Sequence, residues 1–353
     1  MNLDWVLFFV AAVVSLGLTP IAGVLMRRWK VVDRPQASTR KIHRRPIPLG
    51  GGWAIFVVFF AGLALLWHYE PHIQTFLAPG AALAFFLGAA VLMIGGFWDD
   101  KFILRPRQQI IFPLLAAVLV VAGGIGPAVL TNPFGGTLAL SDWRFNFFDL
   151  ALTAANGVTF VWLMGLMFTT KFLDGLDGLV AGVVGIGAII LYFLTQQPAW
   201  YQPELGHIIL VLAGACVGFL IWNFHPAKIF LGEGGSLLVG YLMGVLAVLA
   251  GGKIMTAFLV LGLPALDVLR VIVRRWQKHK PIFAGDREHL HFQLLAAGLT
   301  QRQAVLLLYA IAAAFGVSGL VLQNVHKLLA LAALLVVMLL VSAWIIRKEH
   351  RSS

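Results

Sequence analysis

"GHIILVLAGACVGFLIWNFHPAKIFLGEGGSLLVGYLMGVLAVLAG", residues 206–251, decides the fold class. Two apolar runs, 206–222 and 235–251, flank a short polar segment carrying Asn223, His225, Lys228 and Glu233. A membrane-spanning helix needs about 20 apolar residues, with a range of about 17–25. Both runs meet the lower end of that range. The single cysteine, Cys216, sits inside the first run. It reads as a buried, inert thiol, and a disulfide framework is excluded.

The same alternation extends in both directions. Of the 353 residues, 60% are hydrophobic and 12% charged, against about 25% charged in soluble domains. Candidate spans lie near 4–26, 51–68, 79–98, 109–125, 147–168, 178–195, 206–222, 235–251, 254–272, 303–322 and 327–346. The N-terminus, "MNLDWVLFF", lacks a basic leader and runs into a full-length span, so it reads as a first membrane helix and not a cleaved signal. The longest polar stretches are 27–49 and 273–302. The expected class is an all-α polytopic membrane protein of about eleven transmembrane helices, one domain over residues 1–353.

Lysine and arginine set the expected orientation. With the N-terminus outside and the C-terminus cytoplasmic, the inner segments are 27–50, 99–108, 169–177, 223–234, 270–302 and 347–353. They hold 23 of the 26 basic residues, leaving Arg144, Lys253 and Lys327 outside. The net charge of +11 then follows from topology and attraction to anionic lipid, and nucleic acid is not the expected partner.

Asp99, Asp100, Asp174, Asp177, Glu233 and Asp267 all fall at or near inner span ends, whereas the outer acids are scattered. Ionisable groups at membrane depth are costly and usually functional. Six such acids on one face mark a candidate metal or phosphate-chemistry site, set against the plainer reading that each marks a helix end. "RKIHRRPIPLGGGW", 40–53, joins Lys41, His43, Arg44 and Arg45 to a glycine turn at a helix start, where backbone N–H groups bind anions. In "TTKFLDGLDGLVAG", 169–182, Asp174 and Asp177 share a helix face if the segment is helical. Their repulsion calls for a cation, either Mg²⁺ or Lys171. "AGDREHLHFQLL", 284–295, offers His289 and His291, suited to a diphosphate at least as well as to a metal.

With these residues in view, the chain resembles the polyprenyl-phosphate N-acetylhexosamine-1-phosphate transferase superfamily, in its WecA/TagO-like rather than MraY-like branch. "KIHRRPIPLGGG", "WDD", "FLDGLDGL", "NFHPAKIFLGEGGS" and "DREHLHFQLL" occur in the family's order, and "PALDVLRVIVRR", 264–275, fits the same branch. The resemblance implies transfer of N-acetylhexosamine 1-phosphate, GlcNAc 1-phosphate first among the candidates. The donor is a UDP-sugar and the acceptor polyprenyl (undecaprenyl) phosphate; UMP is released and cell-envelope glycan synthesis begins. It implies Mg²⁺, with Mn²⁺ as a substitute, a multi-pass place in the inner membrane, a cytoplasmic active site, and a homodimer as one admissible assembly.

Carried across by position, the resemblance implies that Asp99 and Asp100 lie near the lipid phosphate. Asp174 and Asp177 fall in the nucleotide and catalytic region, Asp174 also at the metal. Glu233 stands where the family has a metal-binding aspartate. His289 and His291 match the diphosphate-contacting His-x-His, and Lys41 and His43 the first loop. Outside the resemblance, Asn223 is a further candidate substrate contact, and Lys171 is expected to take over part of the cation's work by pairing with Asp174 or a diphosphate oxygen. Three departures stand out: Lys171 replaces an asparagine, Glu233 an aspartate, and Phe292 a histidine. Direct attack of the lipid phosphate on the donor's β-phosphorus is expected, with an aspartyl-phosphate route as the alternative. Two rival classes remain: a transporter of a phosphorylated or anionic solute, and a CDP-alcohol-type phosphotransferase. The second lacks its arginine at Gly182 and further acids before Glu204.

Overall fold

The computed structural model describes residues 3–35, 45–127, 129–131, 136–140, 142–147, 150–251, 254–277, 289–322 and 325–352. Helices dominate. In chain order they are α1 (Leu3–Arg28), α2 (Gly52–Tyr69), α3 (Pro71–Phe76), α4 (Pro79–Phe102), α5 (Pro106–Gln109), α6 (Ile111–Ala122) and α7 (Ala154–Leu173). There follow α8 (Leu179–Thr195), α9 (Pro203–Asn223), α10 (Gly232–Leu249), α11 (Ile254–Gln277), α12 (Leu290–Ala296), α13 (Gln301–Val321) and α14 (Val325–Ser352).

Each of the eleven expected spans contains a helix. Five of them, in α1, α2, α4, α9 and α13, are long and apolar enough to cross a membrane, and a bent α11 would make six. The protein is therefore a polytopic membrane protein. Apolar side chains such as Leu65, Val161 and Val321 face outward, which suits a bundle solvated by hydrocarbon. In α11 the axis turns by 63° beside Pro264, where the missing N–H breaks the helical ladder.

The all-α expectation needs one correction. Three two-stranded antiparallel ribbons are present: β1 (Val32–Asp33) with β2 (Ile47–Pro48), β3 (Val129–Thr131) with β4 (Thr137–Ala139), and β5 (Arg144–Phe147) with β6 (Leu150–Thr153). The expected span 147–168 is thus displaced. Residues 144–147, Arg-Phe-Asn-Phe, alternate with the period of a strand, and α7 begins only at Ala154. Thr153 caps it: its N–H donates to Asn156 Oδ1 at 2.7 Å, the reciprocal half of a capping box. As a result α7 runs to Leu173, and Lys171 lies in its last turn rather than in a loop.

The core centres on α8, α9 and α10, buried around most of their circumference. The start of α10 is wedged between α2 and α4. A β-carbon on Gly96 would fall 2.1 Å from Gly234 Cα, and one on Gly52 would fall 2.2 Å from Gly235 Cα. Backbone meets backbone there, as small residues allow in membrane bundles. These glycines serve helix packing, which brings the ends of α2, α4 and α10 together.

Candidate active site

The C-terminal ends of α4 and α7 and the N-terminal end of α10 meet in one polar network. α4 ends at Phe102 because Ile103 takes a left-handed backbone, φ 54°. That turn sends Leu104 N–H back to Asp99 Oδ1 at 2.7 Å. Gln109, at the end of α5, donates through Nε2 to the same oxygen at 3.1 Å and to Leu104 O at 3.1 Å. Its amide orientation is thereby set, and Oε1 accepts from Lys171 Nζ at 3.0 Å. Lys171 also forms an ion pair with Glu233 Oε1. Glu233 N–H in turn donates to both oxygens of Asp100, at 3.1 and 3.2 Å. The Asp100 carboxyl group is thus seated on the N-terminus of α10, where the helix dipole favours negative charge. Gly232, at φ 78°, makes room for it: a β-carbon there would fall 2.5 Å from Asp100 Oδ2.

A β-branched residue in the left-handed region is strained by about 1–2 kcal/mol. Ile103 is exposed, so its side chain contributes little packing in return. Ile103→Gly is expected to raise the thermal midpoint of the detergent-solubilised protein by a few degrees without loss of activity, as a melting curve beside a rate measurement will show.

Asp174 follows the last turn of α7 with its outer edge exposed. Protein atoms crowd its inner side, and this loss of water, followed by the charges of Glu233 and Asp177, pushes its carboxyl up to about 7. Water at the open edge softens that shift, whose direction is upward. Asp99, Glu233 and Asp174 all lie close enough to act on Asp100. The structure therefore brings Asp99, Asp100, Lys171, Asp174 and Glu233 together.

Asp177 and Asn223 have other partners. Asp177 Oδ2 accepts from Ala227 N–H at 3.0 Å and is 2.7 Å from His225 Nδ1. Asn223 is buried; its Oδ1 accepts from Gly178 N–H at 3.0 Å and its Nδ2 donates to Ile229 O at 2.9 Å. Both residues tie the 224–231 loop to the start of α8. The N–H groups of Gly51 and Gly52, expected to face an anion, donate instead to Phe230 O and Leu231 O at 2.8 and 3.0 Å. Lys41 and His43 lie outside the described residues.

His289 and His291 are buried at the start of α12, not displayed on an open loop. Asp267 organises them. Its Oδ2 is 3.0 Å from His289 Nδ1 and accepts from Leu290 N–H at 3.0 Å, while Oδ1 accepts from Arg270 at 2.7 Å. The rings of Phe172, His289 and His291 stack in series, with centroids 5.8 and 5.7 Å apart. Burial above all pushes the His291 imidazole down to about 3, so it is neutral; His289 adds to the effect and Asp267 opposes it. Its Nε2 has no hydrogen-bond partner among the described residues, and it lies where a side chain on Gly175 would be. A neutral, unpartnered imidazole nitrogen beside the Asp174 turn is equipped to meet a ligand oxygen.

Sequence reasoning missed Gln109, assigned no role to His225, and counted Asp267 only as one acid among six. Polarity inside "RPRQQ" and "PALDVLR" was the available signal.

Residues 82–251 match the description "Glycosyl transferase family 4". A Bacillus subtilis protein named "Probable undecaprenyl-phosphate N-acetylglucosaminyl 1-phosphate transferase" is 32% identical, over 90% of this chain and 85% of its own length. The chain belongs to glycosyl transferase family 4. This family 4 chain is also 32% identical to a decaprenyl-phosphate N-acetylglucosaminephosphotransferase of Mycobacterium leprae, over 85% of this chain and 78% of the relative. A phospho-N-acetylmuramoyl-pentapeptide-transferase of Desulforudis audaxviator is 28% identical, over 88% and 95%. In the family 4 chain the matched segment holds Asp99, Asp100, Lys171, Asp174, Asp177, Asn223 and Glu233, with the two histidines beyond it.

Proposed function

We propose that the protein transfers N-acetylglucosamine 1-phosphate from UDP-GlcNAc to polyprenyl phosphate, releasing UMP and starting an envelope glycan. The observation that carries this reading is the Asp99–Gln109–Lys171–Glu233–Asp100 network beside Asp174, at the ends of apolar helices. A membrane-anchored phosphate and a water-soluble nucleotide can meet only at such a rim. The basic bias of the same face supports an outside N-terminus, a cytoplasmic site and eleven crossings of the inner membrane.

A divalent cation belongs in the reading. Asp174 and Glu233 are hard oxygen donors, and no hydrogen bond from protein occupies the Asp174 carboxylate among the described residues. Among the described residues, no group of three or more His, Cys, Asp or Glu forms a ready metal cage either. Mg²⁺ suits that arrangement, because it is commonly held by one or two carboxylates plus substrate phosphates. When bound, it would neutralise phosphate charge. Protons compete for Asp174 below about pH 7. Mn²⁺ affinity of the substrate-free protein is therefore expected to fall as pH is lowered from about 8 to about 6, a trend that spin-resonance titration at each pH will check.

The chain's own residues do the rest. A phosphate monoester has a second pKa of about 6, so the acceptor is mostly a dianion at neutral pH and needs no base. One of its oxygens bonds to the donor β-phosphorus as the bond to the bridging oxygen breaks, and UMP leaves with that electron pair. Lys171 supplies positive charge and His291 a neutral nitrogen, and Asp99, through Gln109, positions Lys171 before substrate arrives. Such transfer is mostly positioning and electrostatics.

A panel of UDP-sugars offered with polyprenyl phosphate and purified protein tests the reading. Lipid-linked sugar with UMP, best from UDP-GlcNAc, is the expected result. Solute uptake into vesicles without lipid-linked product would favour the transporter instead.

A further inference from the structure

We infer that Lys171 is a tethered counter-ion of Glu233 that a divalent cation must displace, and that the freed ammonium then serves the phosphate of an amphipathic acceptor. This rests on the transferase reading above and extends it to one residue. Lys171 is fixed from two sides: Glu233 pairs with its ammonium, and Gln109 Oε1 accepts from it at 3.0 Å. Gln109 cannot turn away, because its Nε2 is committed to Asp99 and to Leu104 O. An ammonium has three N–H donors, so one remains.

Lys171 also lines a small pocket with Pro106, Gln109, Ile110, Phe168 and Phe172. At about 50 Å³ the pocket has room for a phosphate group at most, and its rim of Pro106, Ile110, Phe168 and Phe172 suits hydrocarbon next to that phosphate. Both alternatives, Glu233 and this pocket, lie within the swing of one lysine side chain. The ammonium already stands 5.9 Å from the Phe168 ring, a favourable neighbour for a cation.

Charge makes the exchange directional. One ammonium faces the Glu233 carboxylate, with Asp100 and Asp174 close by. A cation of charge two held by Asp174 and Glu233 would compete with the ammonium for the Glu233 carboxylate and would repel it. The ammonium then has its strongest remaining attraction in an incoming phosphate. Lys171 therefore weakens metal binding while strengthening acceptor binding, two effects of opposite sign that a merely structural lysine would not produce.

The test uses the full-length protein in detergent, without substrates, titrated with Mn²⁺ by spin resonance, in wild type, Lys171→Met, Lys171→Gln and Lys171→Arg. The neutral variants are expected to bind Mn²⁺ about tenfold more tightly, and Lys171→Arg to match wild type. In turnover, the neutral variants should raise KM for polyprenyl phosphate about tenfold and leave KM for UDP-GlcNAc within about twofold. Unchanged or weaker Mn²⁺ binding in either neutral variant overturns the counter-ion claim. Tighter Mn²⁺ binding with no lipid-linked product from wild type supports it and overturns the transferase reading instead, since the titration needs no turnover.

Discussion

Asp174→Asn is expected to lower the transfer rate by about 10²- to 10³-fold while leaving the fold intact. Among the described residues, no protein group donates a hydrogen bond to the Asp174 carboxylate. Asp99 holds Leu104 and Gln109, Asp100 holds the start of α10, and Asp177 holds Ala227 and His225. Removing the charge of Asp174 therefore cuts no structural bond. It removes an anion that burial and two neighbouring acids hold in an unfavourable state, so stability should stay level or rise slightly. Rate and melting midpoint measured on the same preparation separate the two effects. By contrast, Asp177→Asn should lose stability first, because the 224–231 loop hangs on that carboxylate.

Asp267→Asn is the second large effect, expected at about 10- to 100-fold in rate, the usual consequence of removing a group that orients a functional residue. Asp267 accepts three hydrogen bonds, from His289, Leu290 N–H and Arg270. An amide keeps one oxygen but presents N–H donors on the other side, against a donor. His289 would lose its tether, and the ring series from Phe172 to His291 would loosen. Asp267→Ala should do the same, and neither should alter Mn²⁺ binding at Asp174. Steady-state rates with a parallel Mn²⁺ titration check both statements.

How much of this was legible in sequence depends on the range of the interaction. The apolar runs placed a helix in each of eleven stretches, because burial from water is a local property of composition. The acids at the inner ends were legible for the same reason: charge amid apolar sequence stands out. Helix ends were less legible. Span 147–168 slid to Ala154–Leu173 because hairpin pairing and the Thr153 cap, not hydropathy, set where α7 begins. The glycines were misread. Gly51 and Gly52 read as an anion cradle, yet their N–H groups meet the carbonyls of Phe230 and Leu231 and Gly52 packs against Gly235, partners far away in sequence. Asp177 read as catalytic and Asn223 as a substrate contact; that their polar atoms also meet backbone 45 to 50 residues distant was not legible. Lys171 was legible as out of pattern; its grip on Glu233 and Gln109 was not, because the three residues come from three different helices.

The central claim is transfer of a sugar phosphate rather than a sugar. UDP-GlcNAc labelled with ³²P either at the α- or at the β-phosphorus, incubated with purified protein and polyprenyl phosphate, tests it most directly. The β-label should pass into the organic phase with the lipid, and the α-label should stay in water as UMP. Both labels remaining in water as UDP while GlcNAc reaches the lipid would contradict the account.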